Sequence, residues 1–427
     1  MRLHPTDLPR GKNQNVYNTS KIFLFGGIAF VCFTVAPLYS ASFFMRSSIQ
    51  SSWSTSSAFS SSNVTTAEDS EREGVDKKCD LFKGEWVPNP DQPYYTNETC
   101  SGIFDHQNCM KFGRPDTDFI KWRWKPDDCE LPVFDPTQFL ELARGKSLAF
   151  VGDSVGRNHM QSLMCLLSRV ESPVELSNST YDVSKRWKDQ QSKQWRYNNH
   201  NFTIANFWSP LLVKETEDTR AKDTVFTMHL SEADEKWANH IEKYDYVIIS
   251  AGHWFFRPSI FYEESQLVAC HHCPAENVTS VDTSYGYRKA FRTALKAIYS
   301  LKNFKGVTFL RTFAPSHFEN GSWYDGGNCV RRKPFMRNET HLDGSDLELY
   351  MAQLDEFKVA EEQALKRGLK FRLLDTTRAM LMRPDGHPSH YGHEPHPDWP
   401  NDCVHWCLPG PIDTWNDLLL EMLNRER

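Results

Sequence analysis

Lys146-Ser-Leu-Ala-Phe-Val-Gly152-Asp153-Ser154 is the stretch of sequence that decides the fold. Its apolar run has the length of a buried strand, and it ends in Gly-Asp-Ser. Residues 155–170 follow with apolar side chains at helical spacing, namely Met160, Leu163, Met164 and Leu167. A buried strand that leads directly into a helix opens a β-α unit. In sheets built from such units, reactive groups gather at the carboxyl ends of the strands.

The same alternation continues along the rest of the chain. Apolar runs at 244–249, 306–311 and 369–374 predict three further strands. Periodic patterns at 285–301 and 347–367 predict the helices between them. Strands that alternate with helices in this way predict an α/β fold with a doubly wound, mostly parallel sheet.

Ser154 is the first candidate for chemistry, because it lies between the predicted strand and the predicted helix. The amides and the partial positive charge of a helix N-terminus can stabilise an oxyanion beside such a serine. Ser154 or Asp153 is equally suited to be an ordinary N-cap. The tripeptide alone therefore leaves a nucleophile and a cap as open alternatives.

A nucleophilic serine needs a base and an orienting acid, and the C-terminal region contains both. Asp402 and His405 are three residues apart, a spacing that places them on one face if they share a helical turn. The carboxylate would then hold Nδ1 of the imidazole while Nε2 faces Ser154. Cys403 and Cys407 bracket the pair. Zinc ligation by both cysteines and His405 is an alternative, although an oxidising compartment favours disulfides.

The N-terminal region predicts the topology. Residues 22–44 form a predominantly apolar run, and a membrane span needs about 20 residues. Four basic residues precede this run, Arg2, Arg10, Lys12 and Lys21, whereas only Arg46 follows it closely. The positive-inside rule then predicts a single-pass type II signal anchor, with residues 1–21 in the cytosol and the rest in the lumen. Residues 45–78 are rich in serine and are expected to form a luminal stem.

Cysteines and glycosylation sequons agree with a luminal address. Cys32 lies inside the apolar run, and the other ten cysteines follow it: Cys79, Cys100, Cys109, Cys129, Cys165, Cys270, Cys273, Cys329, Cys403 and Cys407. An even number in an oxidising compartment predicts a disulfide framework, including a disulfide-stapled N-terminal segment over 79–136 ahead of the main domain over 137–427. The sequons begin at Asn63, Asn97, Asn178, Asn201, Asn277, Asn320 and Asn338.

Composition narrows the class of partner. The chain of 427 residues has a formal net charge of −6, which gives no general attraction to nucleic acid. It contains 13 Trp, 15 Tyr and 28 Phe, and such rings can stack on sugar faces although most pack in a core. We therefore expect no nucleic-acid partner.

Four segments of the sequence resemble those of the plant trichome birefringence-like family, whose members are polysaccharide O-acetyltransferases related to SGNH/GDSL esterases. These segments are Cys79-Asp-Leu-Phe-Lys-Gly-Glu-Trp-Val, Gly113-Arg-Pro-Asp, Val151-Gly-Asp-Ser-Val-Gly-Arg-Asn-His-Met and Asp402-Cys-Val-His-Trp-Cys-Leu-Pro-Gly-Pro-Ile-Asp-Thr-Trp-Asn. The similarity covers residues 79–423. Among the family, the chain looks most like the members that acetylate xyloglucan.

The resemblance implies an SGNH/GDSL-like catalytic domain over 137–427 and a triad of Ser154, Asp402 and His405. It also implies double displacement through an acetyl-serine intermediate. Candidate oxyanion and motif residues are Gly152, Asp153, Arg157, Asn158, Gly252 and His253, with the Ser154 amide as the first donor. SGNH esterases usually carry an Asn where this chain has Gly252-His253, so the sequence leaves the second donor open.

The resemblance further implies the substrates and the location. The acceptor would be a hemicellulose in the Golgi lumen, most simply xyloglucan. Apart from the resemblance, Trp254, His317 and Trp406 follow or adjoin predicted elements and are candidate sugar contacts, although each tryptophan is equally suited to the core. The donor would be acetyl-CoA or another acetylated carrier, and a membrane protein that supplies the donor is a candidate partner. We expect no tightly bound cofactor or metal. The alternatives are a mannan or xylan acetyltransferase, a polysaccharide acetylesterase and a non-catalytic wall-polymer binding protein.

Overall fold

The computed structural model describes residues 79–176, 192–218, 225–273, 277–396 and 399–426. The cytosolic tail, the anchor and the stem expected over 1–78 lie outside these residues, as do Asn63 and Asn178. Within the described part of the chain, no helix combines the length and apolarity that a membrane crossing needs. The predicted anchor therefore stays a prediction.

The strands and helices of the described residues are named in chain order. The strands are β1 (Gly84–Pro88), β2 (Trp122–Pro126), β3 (Ser147–Gly152), β4 (Val174–Glu175), β5 (Lys193–Tyr197), β6 (Phe202–Trp208), β7 (Val213–Asp218), β8 (Val225–Ala233), β9 (Tyr246–Ser250), β10 (Ser259–Glu263), β11 (Gln266–His271), β12 (Val307–Arg311) and β13 (Lys370–Leu374). The helices are α1 (Pro136–Leu142), α2 (Ser154–Leu167), α3 (Glu235–Ala238), α4 (Thr283–Ser300), α5 (Gly344–Leu365), α6 (Thr377–Leu381) and α7 (Thr414–Arg425).

The central sheet has seven strands in the order β13-β12-β9-β3-β6-β5-β4. The strands from β13 through β6 run parallel to their neighbours, and β5 and β4 add an antiparallel edge. The four strands predicted from the sequence are β3, β9, β12 and β13, which are consecutive in this order. The prediction of an α/β fold with a doubly wound, mostly parallel sheet is confirmed.

The central sheet is buried on both faces, which explains its near-continuous apolar strands. In β3, Leu148 and Phe150 point into one core, whereas Ala149 and Val151 point into the other. Side chains of α1, α2 and α7 fill the first core, and those of α4 and α5 fill the second. This two-sided packing holds the carboxyl ends of β3 and β9 rigidly side by side.

A second sheet of four strands, in the order β11-β10-β8-β7, was not predicted from the sequence. It packs on the core that α4 occupies, through Phe226 and Met228 of β8 and Phe261 of β10. Charged residues interrupt β7, and the polar residues Thr227, His229 and Ser231 alternate with apolar ones in β8, so neither strand forms the continuous apolar run by which the strands of the central sheet are recognised.

The ten cysteines form five disulfides, which confirms the predicted framework. The pairs are Cys79–Cys129, Cys100–Cys165, Cys109–Cys407, Cys270–Cys273 and Cys329–Cys403. The first closes the N-terminal segment around the β1–β2 ribbon, and the next two tie that segment to α2 and to the C-terminal region. The N-terminal segment is therefore a strap across the main domain. The zinc alternative is wrong, because Cys403 and Cys407 are both held in disulfides.

The described sequons lie at the surface. Asn201, Asn277, Asn320 and Asn338 are exposed, and Asn97 is half-buried. Their positions allow glycans to be attached, and the modification itself stays a prediction.

Candidate active site

Gly152 places the nucleophile candidate at the junction of two strands. It pairs with Ser250 at the end of β9, and its φ is +152°. A Cβ on Gly152 would lie 1.7 Å from the Ser250 carbonyl oxygen, so only glycine allows the two strand ends to approach so closely. The next two residues, Asp153 and Ser154, therefore emerge at the carboxyl edge of the sheet.

Asp153 is the N-cap of α2, and Ser154 is its first residue. One carboxylate oxygen of Asp153 accepts hydrogen bonds from the amides of Val155 at 3.0 Å and Gly156 at 3.2 Å. The capping function is thus filled by Asp153 and does not require the Ser154 hydroxyl. Ser154 is half-buried, and as the first helical residue its amide has no carbonyl within the helix to bond.

Asp402 and His405 form a hydrogen-bonded pair. Nδ1 of His405 lies 2.8 Å from Oδ2 of Asp402, while Oδ1 of Asp402 accepts the backbone amides of Val404 and His405. The expected helical turn is wrong, because Asp402 lies in an extended bridge to Ser389 and its side chain caps the following turn. The carboxylate therefore orients the ring and fixes the backbone that carries it.

Electrostatics favour a charged state of this pair. Burial lowers the pKa of His405, but the adjacent Asp402 carboxylate outweighs burial and raises this pKa above the ordinary histidine value. Burial likewise raises the pKa of Asp402, but the His405 charge and the three hydrogen bonds that the carboxylate accepts hold it well below its usual range. The imidazole is thus a strengthened base with an anionic partner.

Asn158 connects the helix that carries Ser154 to the segment that carries His405. It lies one turn after Ser154 on the same face of α2. Its side chain accepts the Trp406 amide at 2.8 Å and donates to the Trp406 carbonyl at 3.3 Å. Nε2 of His405 is buried and has no hydrogen-bond partner among the described residues, including Ser154. Hydrogen bonds of catalytic groups are often formed only when substrate is bound.

The oxyanion candidates separate into different classes. Asn158 is fully buried and bonded to the amide and the carbonyl of Trp406, so in this structure it clamps the two segments together, and its assignment as an oxyanion donor stays a prediction. His253 directs Nε2 to the Ala314 carbonyl at 3.0 Å, which removes that nitrogen from the site. Gly252 lies beside the Asp153 carboxylate, since a Cβ there would be 3.9 Å from Oδ2. The Ser154 amide remains the first candidate donor.

Of the three predicted sugar contacts, Trp406 is wrong, whereas Trp254 and His317 stay predictions. Trp406 is fully buried, and its ring stacks on His387 with centroids 4.1 Å apart. Both ring nitrogens of His317 are taken by protein partners, His387 at 2.7 Å and the Leu381 carbonyl at 2.9 Å. These groups support the segment behind His405. Trp254 is half-buried and remains a candidate for contact with substrate.

Three side chains near the site were missed by sequence reasoning. His106, from the strap, packs edge-on against His405 with ring centroids 5.6 Å apart, and Phe104 stacks on His106. Burial, the His405 charge and the Arg157 charge lower the pKa of His106 to about 3, so it stays neutral beside the base. Trp208 ends β6 directly opposite Gly152. The apolar residues in 202–208 could have predicted strand β6, which ends at Trp208.

A parallel α/β sheet with Gly-Asp-Ser at the end of one strand and an Asp–His pair tied to the following helix has the architecture of SGNH-like esterases. Comparison with known families agrees with this class. Residues 131–422 match the GDSL/SGNH-like acyl-esterase family found in Pmr5 and Cas1p, and residues 77–130 match the PMR5 N-terminal domain. The chain therefore belongs to this acyl-esterase family.

Individual relatives include plant proteins of the predicted family. Trichome birefringence-like protein 19 of Arabidopsis thaliana is 58% identical over 82% of this chain and 81% of its own length. Xyloglucan O-acetyltransferase 4 of Populus trichocarpa is 45% identical over 82% of this chain and 81% of its own length. Xyloglucan O-acetyltransferase 2 of A. thaliana is 42% identical over 83% of this chain and 84% of its own length. The resemblance inferred from the four segments is confirmed.

Proposed function

We propose that this protein is a polysaccharide O-acetyltransferase that moves an acetyl group through an acetyl-serine intermediate onto a hydroxyl of xyloglucan. The observation that carries the proposal is the Asp402–His405 pair clamped by Asn158 to the helix that begins with Ser154. Relatives named xyloglucan O-acetyltransferases, at 42% and 45% identity, support the acetyl group and the polymer.

The first half-reaction would acylate Ser154. Nε2 of His405 takes the hydroxyl proton while Oγ attacks the acetyl carbonyl of the donor, and the Ser154 amide stabilises the oxyanion. The bond between the acetyl carbon and the donor then breaks, and His405 gives its proton to the leaving group. Acetyl-CoA supplies a thiol leaving group, and another acetylated carrier would supply an alcohol or a similar group.

The second half-reaction would transfer the acetyl group to the sugar. His405 takes the proton of the acceptor hydroxyl, whose oxygen attacks the acetyl-serine carbonyl. The Ser154 oxygen leaves and recovers the proton from His405, which restores the starting state. Asp402 stays ionised throughout and stabilises the imidazolium formed in each half-reaction.

The related activities use the same groups with a different acceptor. Water in place of the sugar would make the protein an acetylesterase, and mannan or xylan would replace xyloglucan as the polymer. Exclusion of water and binding of sugar decide between transfer and hydrolysis. The non-catalytic alternative is disfavoured because an oriented Asp–His pair is unnecessary for binding a polymer.

The proposed setting is the Golgi lumen. The apolar run over 22–44, the five disulfides and the sequons support a catalytic domain held in an oxidising lumen by a single type II anchor. A membrane protein that supplies the acetyl donor to the lumen would be a partner in this arrangement.

The test is incubation of the full chain with acetyl-CoA or an activated aryl acetate and with xyloglucan, mannan or xylan oligosaccharides. Mass spectrometry would then follow acetylated products. Preferential acetylation of xyloglucan is expected. Release of acetate from acetylated polymer, with no transfer to any glycan, would establish the esterase instead.

The first prediction concerns the nucleophile and the base. Ser154→Ala and His405→Ala are each expected to lower acetyl transfer about a thousandfold or more, because either change removes a group that acts in both half-reactions. Thermal unfolding of Ser154→Ala should be nearly unchanged, since the helix cap is Asp153. His405→Ala should be less stable, because it leaves the Asp402 carboxylate without its charged partner. Ser168→Ala, at the opposite end of the same helix, is the matched control and should keep wild-type activity. Wild-type rates in the Ser154→Ala protein would remove this serine from the mechanism.

A further inference from the structure

A continuous series of rings and guanidinium groups begins beside His405 and leads away from it. His106 contacts His405, and Phe104 stacks on His106 with centroids 5.8 Å apart. The Arg157 guanidinium then lies 5.4 Å from the Phe104 ring and 5.2 Å from the Trp208 ring. The series therefore reaches Trp208, at the end of β6, without a break.

The series continues beyond the central sheet. Trp208 packs edge-on against Trp254 with centroids 5.7 Å apart. The Arg257 guanidinium lies 4.4 Å from the Trp254 ring and 5.8 Å from the Trp323 ring. We name these six side chains, Phe104, Arg157, Trp208, Trp254, Arg257 and Trp323, the aromatic track.

The side chains of the aromatic track are partly exposed to solvent, unlike those of a hydrophobic core. Phe104 is 41% exposed and Trp323 is 50% exposed, while Trp208 and Trp254 between them are half-buried. Large rings that remain accessible in a connected row mark a binding surface more often than a packing accident. Each ring has an apolar face, and a guanidinium is a hydrogen-bond donor group.

The pattern fits a repeating neutral ligand better than a nucleotide. A nucleotide has a single base to stack, whereas a sugar chain presents an apolar C–H face and a set of hydroxyls in every unit. Two carboxylates also partly neutralise the positive charge of the track. Burial lowers the pKa of the Arg157 and Arg257 guanidinium groups, and the negative charges of Asp153 and Glu217, respectively, act in the opposite direction. Phosphates would meet these carboxylates, but neutral hydroxyls would not be repelled.

We propose that the aromatic track binds several consecutive sugar units of the acceptor polysaccharide, with the unit to be acetylated next to His405. This proposal rests on the proposed function and adds the subsite that holds the polymer. The strap contributes Phe104 to it, so the N-terminal segment takes part in acceptor binding. The track also gives the enzyme a preference for long acceptors over short ones.

The test is calorimetric titration of the full-length Ser154→Ala protein with xyloglucan oligosaccharides of increasing backbone length. Affinity is expected to rise with length until the track is filled. Trp254→Ala in the same background should weaken binding of the long oligosaccharides about tenfold and of the shortest ones little. Trp254→Phe should keep most of the affinity, because a ring remains.

Trp195→Ala is the matched control, since Trp195 is a half-buried tryptophan of the neighbouring strand β5 outside the track. It should leave sugar affinity unchanged. Affinity that is independent of length, or an equal effect of Trp195→Ala and Trp254→Ala, would overturn the proposal. A loss of acetyl-CoA affinity in Trp254→Ala, with sugar affinity intact, would assign the track to the donor and would equally overturn it.

The outcome is separable from that of the proposed function, because the titration requires no acetyl transfer. Length-dependent, Trp254-dependent binding in a protein whose wild type transfers no acetyl group would support the track and refute the transferase. Efficient transfer that is unaffected by Trp254→Ala at every acceptor length would refute the track and support the transferase.

Discussion

At the scale of single residues, the protonation of His405 determines when the site can act as a base. Burial and Asp402 act on its pKa in opposite directions, and the carboxylate prevails. The neighbouring His106 has its pKa lowered to about 3 and does not compete for the proton in the working pH range. Activity should therefore follow the titration of one imidazole.

The second prediction concerns the pH dependence of that imidazole. A raised pKa keeps His405 protonated to a higher pH, so wild-type activity is lost as the pH falls through a value above that of an ordinary histidine. Asp402→Asn removes the carboxylate and leaves burial, so the pKa of His405 falls and the acid limb of the pH–rate profile moves to lower pH. The maximal rate should also fall, by roughly three to four orders of magnitude, because the ring loses its orienting acceptor.

The measurement is the rate of acetate release from an activated ester across a range of pH, which reports the acylation chemistry without an acceptor. An acid limb that stays in place in Asp402→Asn would show that another group controls the profile. A limb that moves to higher pH would contradict the sign derived for the Asp402 charge.

At the scale of secondary-structure elements, α2 organises the site. Its cap is Asp153, its first residue is Ser154, and its second turn is bonded to Trp406 through Asn158. Because α2 is held both at the sheet and at the His405 segment, the position of Ser154 relative to His405 is fixed. Sub-ångström positioning of this kind is the main requirement for the proton transfers of acyl transfer.

The third prediction concerns this clamp. Asn158→Ala removes both hydrogen bonds and leaves the amide and carbonyl of the fully buried Trp406 without their partner. Each orphaned group costs about 1–3 kcal/mol of unfolding free energy. We also expect a fall of about tenfold in kcat, because Ser154 and His405 lose their common anchor. Denaturant unfolding and steady-state kinetics measure the two effects.

Gln161→Ala is the matched control for the clamp. Gln161 is a buried residue of the same helix and donates a hydrogen bond to the Gly102 carbonyl in the strap. It should lower stability without lowering kcat. If both variants lose stability and neither loses kcat, Asn158 has only a structural function.

At the scale of the whole molecule, the N-terminal strap and the C-terminal region meet at the candidate active site. The strap reaches the His405 segment through Cys109–Cys407 and places His106 beside the base. Arg114 strengthens this connection, since its guanidinium donates to the carbonyls of Asp385 and His387 and stacks on Phe119. The strap is therefore part of the site and not an appended module.

The fourth prediction separates stability from activity in the disulfides. Cys109→Ser combined with Cys407→Ser should lower both stability and kcat, because it frees the segment that carries His405 from the strap. Cys79→Ser combined with Cys129→Ser is the control, since that disulfide joins only the two ends of the strap. It should lower stability and spare kcat. A wild-type kcat in the variant without Cys109–Cys407 would show that this bond to the strap is not needed for catalysis.

The sequence predicted the elements whose pattern is continuous and missed those whose pattern is mixed. The strands β3, β9, β12 and β13 were predicted because burial on both faces requires unbroken apolar runs. The strands β7 and β8 were missed because charged or polar residues interrupt their apolar pattern. The hydrophobic pattern of a strand reflects what lies on its two faces. A strand whose faces are partly solvated therefore has a mixed pattern, which is harder to recognise in the sequence.

The site residues follow a similar division. The spacing of Asp402 and His405 predicted their contact, but it suits both a helical turn and a capped extended turn, and the structure has the second. No sequence pattern distinguishes Trp406 from Trp254, yet Trp406 is fully buried and Trp254 is half-buried. His106 was missed because only the path of the folded chain brings it to His405.

The separation of Cys109 and Cys407, 298 residues along the chain, has a consequence for biosynthesis. A growing polypeptide exposes Ser154 long before it exposes Asp402 and His405, so the serine is made first and has no base. The bond to the strap closes only after nearly all of the chain has entered an oxidising environment. Under the proposed mechanism, a product truncated before Asp402 carries the nucleophile without its base, and a chain that stays reduced lacks the bond that ties the His405 segment to the strap. Full activity is therefore expected only from molecules that have been completed and oxidised.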